Sequence, residues 1–331
     1  MNPTDAIVAV TLNCNSRCVM CDIWQNKIDG EMQPEEYAAL PVSLKEINIT
    51  GGEPFLREDL PEILAVIRRR CGDVRLVVST HGFMTERMRK LAPELKRVAP
   101  DLALRISIDG LEATHEEVRG IAGGFQKDME SLAVLQSAGF RDLGIAMTVM
   151  KRNVSEIQPV YELAEKLGVE FSITVATESD IYFGVGKDAF RPDDGGELRR
   201  GFEHLIRRHY RSFRPRAVGR AWFQKTLLHY AQGKGRALAC DAGQGFFYLD
   251  SRANVYACHI LPSRMGNLRQ QSWEAMWNGA EAERRRVELA GCEKCWMVCT
   301  AKSAMRQSLV RIGIEAVVDK AKAHLGLPIE S

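Results

Sequence analysis

Cys14-Asn15-Ser16-Arg17-Cys18-Val19-Met20-Cys21 follows directly on a short apolar run, Ile7 to Leu12. Three thiols within eight residues can grip a metal cluster, but they cannot close it. A cubane iron–sulfur cluster usually takes one cysteine per iron, so three ligands leave one iron open. An open coordination position separates a catalytic metal site from a structural one. The bland alternatives are a zinc knuckle short of its fourth ligand, or plain buried thiols.

Outward from this loop, the chain alternates β-rich and amphipathic runs up to about residue 175. Candidate strands are Ile7–Leu12, Lys45–Thr50, Val74–Thr80, Ala103–Ile108, Gly144–Met150 and Glu170–Val175. Helical patterns lie between them at Asp59–Arg70, Thr85–Val98, Phe125–Ala138 and Ser155–Leu167, the last capped by Asn153 or Ser155 and stopped at Gly168. Regular alternation means a parallel sheet with right-handed crossovers. Six units fall short of a closed eight-stranded barrel, so the expected fold is α/β, a partial (β/α)6 TIM-like barrel.

Polar residues return at the C-terminal end of each candidate strand, the rim where such barrels carry their sites. Strand two runs into Gly51-Gly52-Glu53-Pro54, strand three into Ser79-Thr80-His81-Gly82, and strand four into Ser107-Ile108-Asp109-Gly110. Past residue 177 the pattern breaks. A loop at Pro192–Gly196 precedes helical stretches near Glu197–Ser212 and Arg220–Ala231. A cysteine-rich segment follows, with a hairpin expected from Phe246–Asp250 and Val255–Cys258, and then a helical tail, Lys302–Leu325. The expected divisions are 1–178, a core barrel; 179–236, a helical connector; 237–300, a small α+β cysteine-rich domain; and 301–331, the tail.

The 331 residues are 45% hydrophobic and 27% charged, an ordinary composition for a soluble protein. A net charge of +2 and a pI near 8.1 make no case for nucleic acid. The N-terminal apolar run is too short for a signal h-region or a membrane span. Nine cysteines without a secretory leader favour metal or catalytic use over disulfides, hence a reducing, cytoplasmic location.

The C-x3-C-x2-C loop after the first strand and Gly51-Gly52-Glu53-Pro54 after the second together resemble the radical S-adenosylmethionine (SAM) superfamily over roughly residues 6–175. The resemblance implies that Cys14, Cys18 and Cys21 hold a [4Fe-4S] cluster whose open iron binds SAM. Reductive cleavage would then yield a 5′-deoxyadenosyl radical that takes a hydrogen atom from substrate. It also implies SAM contacts for Gly51, Gly52, Glu53 and Pro54, with Glu53 receiving the methionine ammonium. Ser107 and Asp109 would reach the ribose or carboxylate, Arg119 the methionine carboxylate, and Met20 would pack near the adenine. His81 is either a site residue or a structural histidine.

Cys240, Cys258, Cys292, Cys295 and Cys299, with Met265-Gly266-Asn267-Leu268, Trp273 and Trp277, resemble the SPASM and shorter twitch auxiliary-cluster domains. A full SPASM domain has seven cysteines; five here imply one auxiliary cluster, expected to be [4Fe-4S]. The expected ligands are Cys240, Cys258, Cys292 and Cys295, with Cys299 a spare or a replacement; a four-thiolate zinc site is the competing reading. Ala253 departs from the family, which places glycine there. Cys71 reads as packing.

The implied function is a radical SAM enzyme acting on a small molecule, with the auxiliary cluster assisting electron transfer or substrate binding. A flavodoxin or ferredoxin would donate electrons. Eight arginines between Arg199 and Arg220 read as a solvated face or as an attractor for an anionic substrate. A peptide-modifying maturase is disfavoured because strand one begins almost at once. A non-catalytic iron–sulfur electron carrier is the reading from another class, and it has no need of the Gly-Gly-Glu-Pro loop.

Overall fold

A computed structural model describes residues 2–25, 29–179, 192 and 196–329. Gly184, Val185, Gly186 and the Asp193–Gly195 part of the expected loop lie outside them. Strands β1 (Asp5–Thr11), β2 (Glu46–Gly51), β3 (Arg75–Thr80), β4 (Ala103–Ser107), β5 (Asp142–Val149) and β6 (Glu170–Val175) pair in parallel in sequence order. The crossovers carry helices α1 (Leu60–Cys71), α2 (Thr85–Val98), α3 (Glu112–Arg119), α4 (Gly124–Ser137) and α5 (Ile157–Leu167). Apolar spacing explains the longer helices. In α2, Met88, Leu91, Ala92 and Leu95 form one buried stripe. In α5, Ile157, Val160, Tyr161 and Ala164 do the same, and Gly168 ends the helix at φ 67°.

The sheet does not stop at β1. Strand β7 (Phe246–Leu249) pairs with it in parallel, Asp5 against Phe246 and Val8 against Leu249. Strands β8 (Asn254–Tyr256) and β9 (Arg264–Asn267) follow antiparallel, giving one nine-stranded sheet in the order β6-β5-β4-β3-β2-β1-β7-β8-β9. The segment expected to begin at residue 237 therefore contributes three strands to the same sheet as the core. Every residue of β1 is buried, as a strand with partners on both edges and layers on both faces must be.

Helices α6 (Gly196–Arg211) and α7 (Pro215–Ala231) follow the six-unit core, and α8 (Trp273–Trp277), α9 (Ala280–Glu288), α10 (Val298–Gln307) and α11 (Leu309–Leu325) follow β9. The second connector helix starts at Pro215 rather than Arg220, since proline at the first helical position costs no hydrogen bond. The tail is two helices hinged at Ser308. Its face splits: Ile312 and Ala316 are buried, whereas Leu309 and Val317 are exposed. Arg306 and Lys302 of α10 pair with Asp5 and Glu46, fastening the C-terminal helices to the starts of β1 and β2. Among the described residues, no helix is long and apolar enough to cross a membrane.

Several connector arginines pair with carboxylates. Arg220 binds Glu170, Arg216 lies 4.0 Å from Asp142, and Arg208 lies 3.2 Å from Glu165. Asp142 and Glu170 open β5 and β6, so Arg216 and Arg220 sit at the end of the sheet opposite the cysteine loop. These arginines do not line the rim as an anion attractor would.

Candidate functional site

The loop after β1 is clamped from two sides. Gly52 N–H donates to Thr11 O (2.8 Å) and Glu53 N–H to Asn13 O (2.9 Å). A Cβ on Gly51 would meet Thr11 O at 1.9 Å, and one on Gly52 would meet Asn13 O at 2.0 Å. The glycines thus make room for the chain's own cysteine loop. On the other side, Val19 N–H donates to Val118 O (2.9 Å) and Arg17 N–H to Arg119 O (3.3 Å), where α3 ends. Gly120, at φ 68°, completes this seam: a Cβ would meet Arg17 O at 2.7 Å.

Cys14, Cys18 and Cys21 form no disulfide, and each is half-buried. Burial pushes Cys14 up to about 11 and Cys21 up to about 12, and repulsion among the three sulfurs adds to both. Three thiolates so placed need a concentrated positive charge between them, which a cluster provides. Ser16 Oγ lies 3.1 Å from Cys18 Sγ, and Arg119 Nη1 donates to Cys18 Sγ at 3.6 Å. Met20 is buried with Val118, Met150 and Ala176.

Arg119 and Asp109 form a buried ion pair, Nη2 to Oδ2 at 2.7 Å. Asp109 Oδ1 also accepts Thr148 N–H at 2.7 Å. Burial would lower Arg119, but Asp109 and Cys18 outweigh it and hold the guanidinium charged. Asp109 is thus spent on Arg119, and Arg119 on Asp109 and Cys18. Ser107 closes β4, half-buried beside them. Behind this pair, His115 Nδ1 accepts Asp109 N–H (3.2 Å), so Nε2 carries the proton and faces Asp128 Oδ2 at 3.1 Å. Burial drives His115 down to about 3 and Asp128 well up.

Glu53 is fully buried. Its carboxylate accepts Phe55 N–H (3.0 Å), Thr80 Oγ1–H (2.8 Å) and His81 N–H (2.9 Å). Pro54 opens the short 3-10 turn Pro54–Leu56 that Glu53 caps. His81 Nδ1 accepts Phe83 N–H, which places the proton on Nε2, 2.7 Å from Asn15 Oδ1. Burial lowers His81 and keeps it neutral. His81 therefore braces the cysteine loop through Asn15.

The five later thiols are also free and also gather. Burial raises Cys240 to about 11 and Cys258 and Cys299 to about 12, and each feels Cys295 as a like charge. Cys299 is thus within electrostatic reach of Cys295, as Cys240 and Cys258 are. Arg236 donates to Cys295 O and approaches its Sγ at 3.9 Å, with its guanidinium 4.9 Å from the Trp296 ring centre. Thr300 Oγ1 lies 3.5 Å from Cys295 Sγ, and Ile260 N–H donates to Cys258 Sγ at 3.2 Å. Trp296 Nε1–H donates to Thr226 Oγ1 (3.0 Å), anchoring this loop on α7. Among the described residues, no three His, Cys, Asp or Glu side chains converge as a single metal ion requires. Sequence reasoning missed Ser16, Arg236 and His259, which touch the cysteine sulfurs. For Ser16 and His259 the signal was adjacency, since both stand within two residues of a cysteine; Arg236 carried no such signal.

One set of three thiols and another of five, braced against neighbouring strands, are the donor set that an iron–sulfur protein carries. Sequence profiles of the radical SAM superfamily and of an iron–sulfur cluster-binding domain of SPASM type match residues 8–164 and 240–299. The chain belongs to the radical SAM superfamily and is an enzyme using SAM, a [4Fe-4S] cluster and auxiliary iron–sulfur chemistry. It is 30% identical over 307 residues to an AdoMet-dependent heme synthase of Methanosarcina barkeri (strain Fusaro / DSM 804), covering 83% of this chain and 82% of that one. A mycofactocin maturase MftC of Mycolicibacterium smegmatis is 27% identical, over 86% of this chain and 74% of its own. The solved structure of native anSMEcpe with bound AdoMet shares the fold, with a TM-score of 0.65 at 15% identity over 96% of this chain and 100% of that one.

Proposed function

We propose that this enzyme oxidises a small-molecule substrate by two electrons, with Cys14, Cys18 and Cys21 holding the SAM-binding cluster. When bound, SAM and its cluster supply a hydrogen-atom acceptor, and the auxiliary cluster supplies a one-electron acceptor. Glu53 receives the methionine ammonium: its protein partners are neutral donors, and a buried carboxylate gains most from a cation. Arg119, kept charged by Asp109, steadies Cys18 and presents positive charge beside the cluster. Gly51, Gly52 and Pro54 shape the loop, while Met20 and Ser107 line the nucleoside side. The auxiliary ligands come from Cys240, Cys258, Cys292, Cys295 and Cys299. We assign 1–178 to the core, 179–236 to the connector, 237–300 to the auxiliary domain and 301–331 to the tail. The setting is cytoplasmic, with a flavodoxin or ferredoxin as donor.

The observation that carries this reading is the second set of thiols, with Cys240 before β7 and Cys258 after β8, where β7 is hydrogen-bonded to the strand that delivers the first set. The likeness to the heme synthase supports a tetrapyrrole as the first substrate class to test. The likeness to the mycofactocin maturase supports a peptide as the second. Reduced, reconstituted enzyme is incubated with SAM and either an iron porphyrin such as Fe-coproporphyrin III or a short peptide. A mass loss in the porphyrin with formation of 5′-deoxyadenosine supports the proposal; modification of the peptide alone refutes the small-molecule assignment. Replacing Cys14, Cys18 and Cys21 with alanine abolishes SAM cleavage, and retained cleavage defeats the cluster assignment.

A further inference from the structure

His259 follows Cys258 directly and is buried, 4% exposed. Its Nε2 lies 3.7 Å from Cys299 Sγ, across forty residues of chain. Its backbone is held as well: Ser179 Oγ–H, just past β6, donates to His259 O at 2.9 Å. The ring also packs near Tyr248 of β7, with centroids 6.3 Å apart. The residue is therefore held at its backbone and at its ring, with one nitrogen aimed at a thiol.

We infer that His259 donates an N–H···S hydrogen bond to Cys299, that Cys299 is a ligand of the auxiliary cluster, and that this bond raises the cluster's reduction potential. This rests on the two-cluster reading above. A cluster-bound thiolate has no proton to give, so the hydrogen must come from the histidine. A donor at a ligating sulfur withdraws electron density and stabilises the reduced state. The chain offers five thiols for four irons, so the imidazole is not needed as a ligand.

The test uses anaerobically reconstituted full-length enzyme, its iron and sulfide content, and a redox titration of the auxiliary cluster followed by electron paramagnetic resonance. His259→Leu lowers the midpoint potential, with the one-electron equilibrium shifting by about tenfold, or 59 mV, while iron stays near eight per chain. His259→Gln, which keeps an N–H donor, restores most of the difference. Cys299→Ala loses or converts the auxiliary signal. An unchanged potential in His259→Leu with both clusters intact overturns the inference alone. So does loss of auxiliary iron in His259→Leu, or a large nitrogen hyperfine coupling in 15N-histidine-labelled wild type, since either marks direct ligation. An intact auxiliary signal in Cys299→Ala overturns it too. Wild-type iron near four instead overturns the two-cluster reading, and the inference with it.

Discussion

Replacing Gly52 with alanine tests whether the cysteine loop is held by contact with strand β2. The added Cβ would stand 2.0 Å from Asn13 O, 2.5 Å from Asn13 C and 3.0 Å from Cys14 Cβ. Ordinary contact begins near 3.4 Å, so the loop must withdraw by about 1.4 Å. No flexible side chain absorbs this, because the nearest atoms are backbone. Withdrawal breaks the bonds from Gly52 N–H to Thr11 O and from Glu53 N–H to Asn13 O. Each is worth about 1 kcal/mol, and forced overpacking adds about 1–3 kcal/mol. The expected loss is therefore about 3–5 kcal/mol, concentrated where Cys14 sits. Iron in reconstituted Gly52→Ala falls from about eight to about four per chain, with the auxiliary signal retained, and SAM no longer perturbs the spectrum. Gly219→Ala is the control. It lies within α7 with nothing inside 4 Å of its Cβ position, and it gains up to about 1 kcal/mol from helix propensity. A Gly52→Ala enzyme with full iron and wild-type SAM cleavage would refute the clamp.

Other outcomes follow from the same geometry. Burial lowers His115, to about 3, and also lowers His209. Below about pH 6.5 the unfolded chain takes up protons that these folded histidines refuse, so their contribution to stability is present above that pH and declines as pH falls, by about 1.4 kcal/mol per unit for His115 and in the same direction for His209. Denaturant titrations at pH 7.5, 6 and 5 should show a shallower decline in His209→Gln. Ala253, at φ 67° and fully buried, occupies a left-handed turn. Ala253→Gly relieves about 1–2 kcal/mol of strain but loses a methyl worth about 0.8 kcal/mol and adds chain entropy. Its melting temperature stays near wild type, whereas Ala253→Val falls by several degrees. Arg216→Ala and Arg220→Ala leave substrate turnover within about twofold of wild type, since a surface pair is worth at most about 1 kcal/mol and both lie away from the rim. A large rise in KM in either variant would restore the anion-attractor reading.

The strands β1 to β6 were legible because each is a short apolar run ended by turn chemistry, a signal written locally. Helix α3 was not. Its buried residues are His115, Val118 and Arg119, so the inward face carries charge and an imidazole where a periodic pattern would carry leucines. It also opens at Glu112 with φ 36°, which no start signal announces. The pairing of β7 with β1 spans some 240 residues and leaves no mark in either run. The site residues were legible as types at strand ends, but their partners were not. Nothing near Asp109 says that its carboxylate faces Arg119, or near His81 that its ring meets Asn15. Glycine meaning was half visible: Gly51 and Gly52 signalled a close approach, and only the coordinates show that the approaching group is the chain itself.

The pairing of β1 with β7 also sets a timetable for biosynthesis. When the first six strands have left the ribosome, β1 still has a bare edge: a buried-type strand, DAIVAVT, with its outward amides and carbonyls unsatisfied. That edge waits until Phe246–Leu249 is translated. A nascent chain stalled in between is a sticky intermediate, and one that is released early offers the same strand to its neighbours. Completion of the C-terminal half therefore seals the sheet as well as adding a second nest of sulfur.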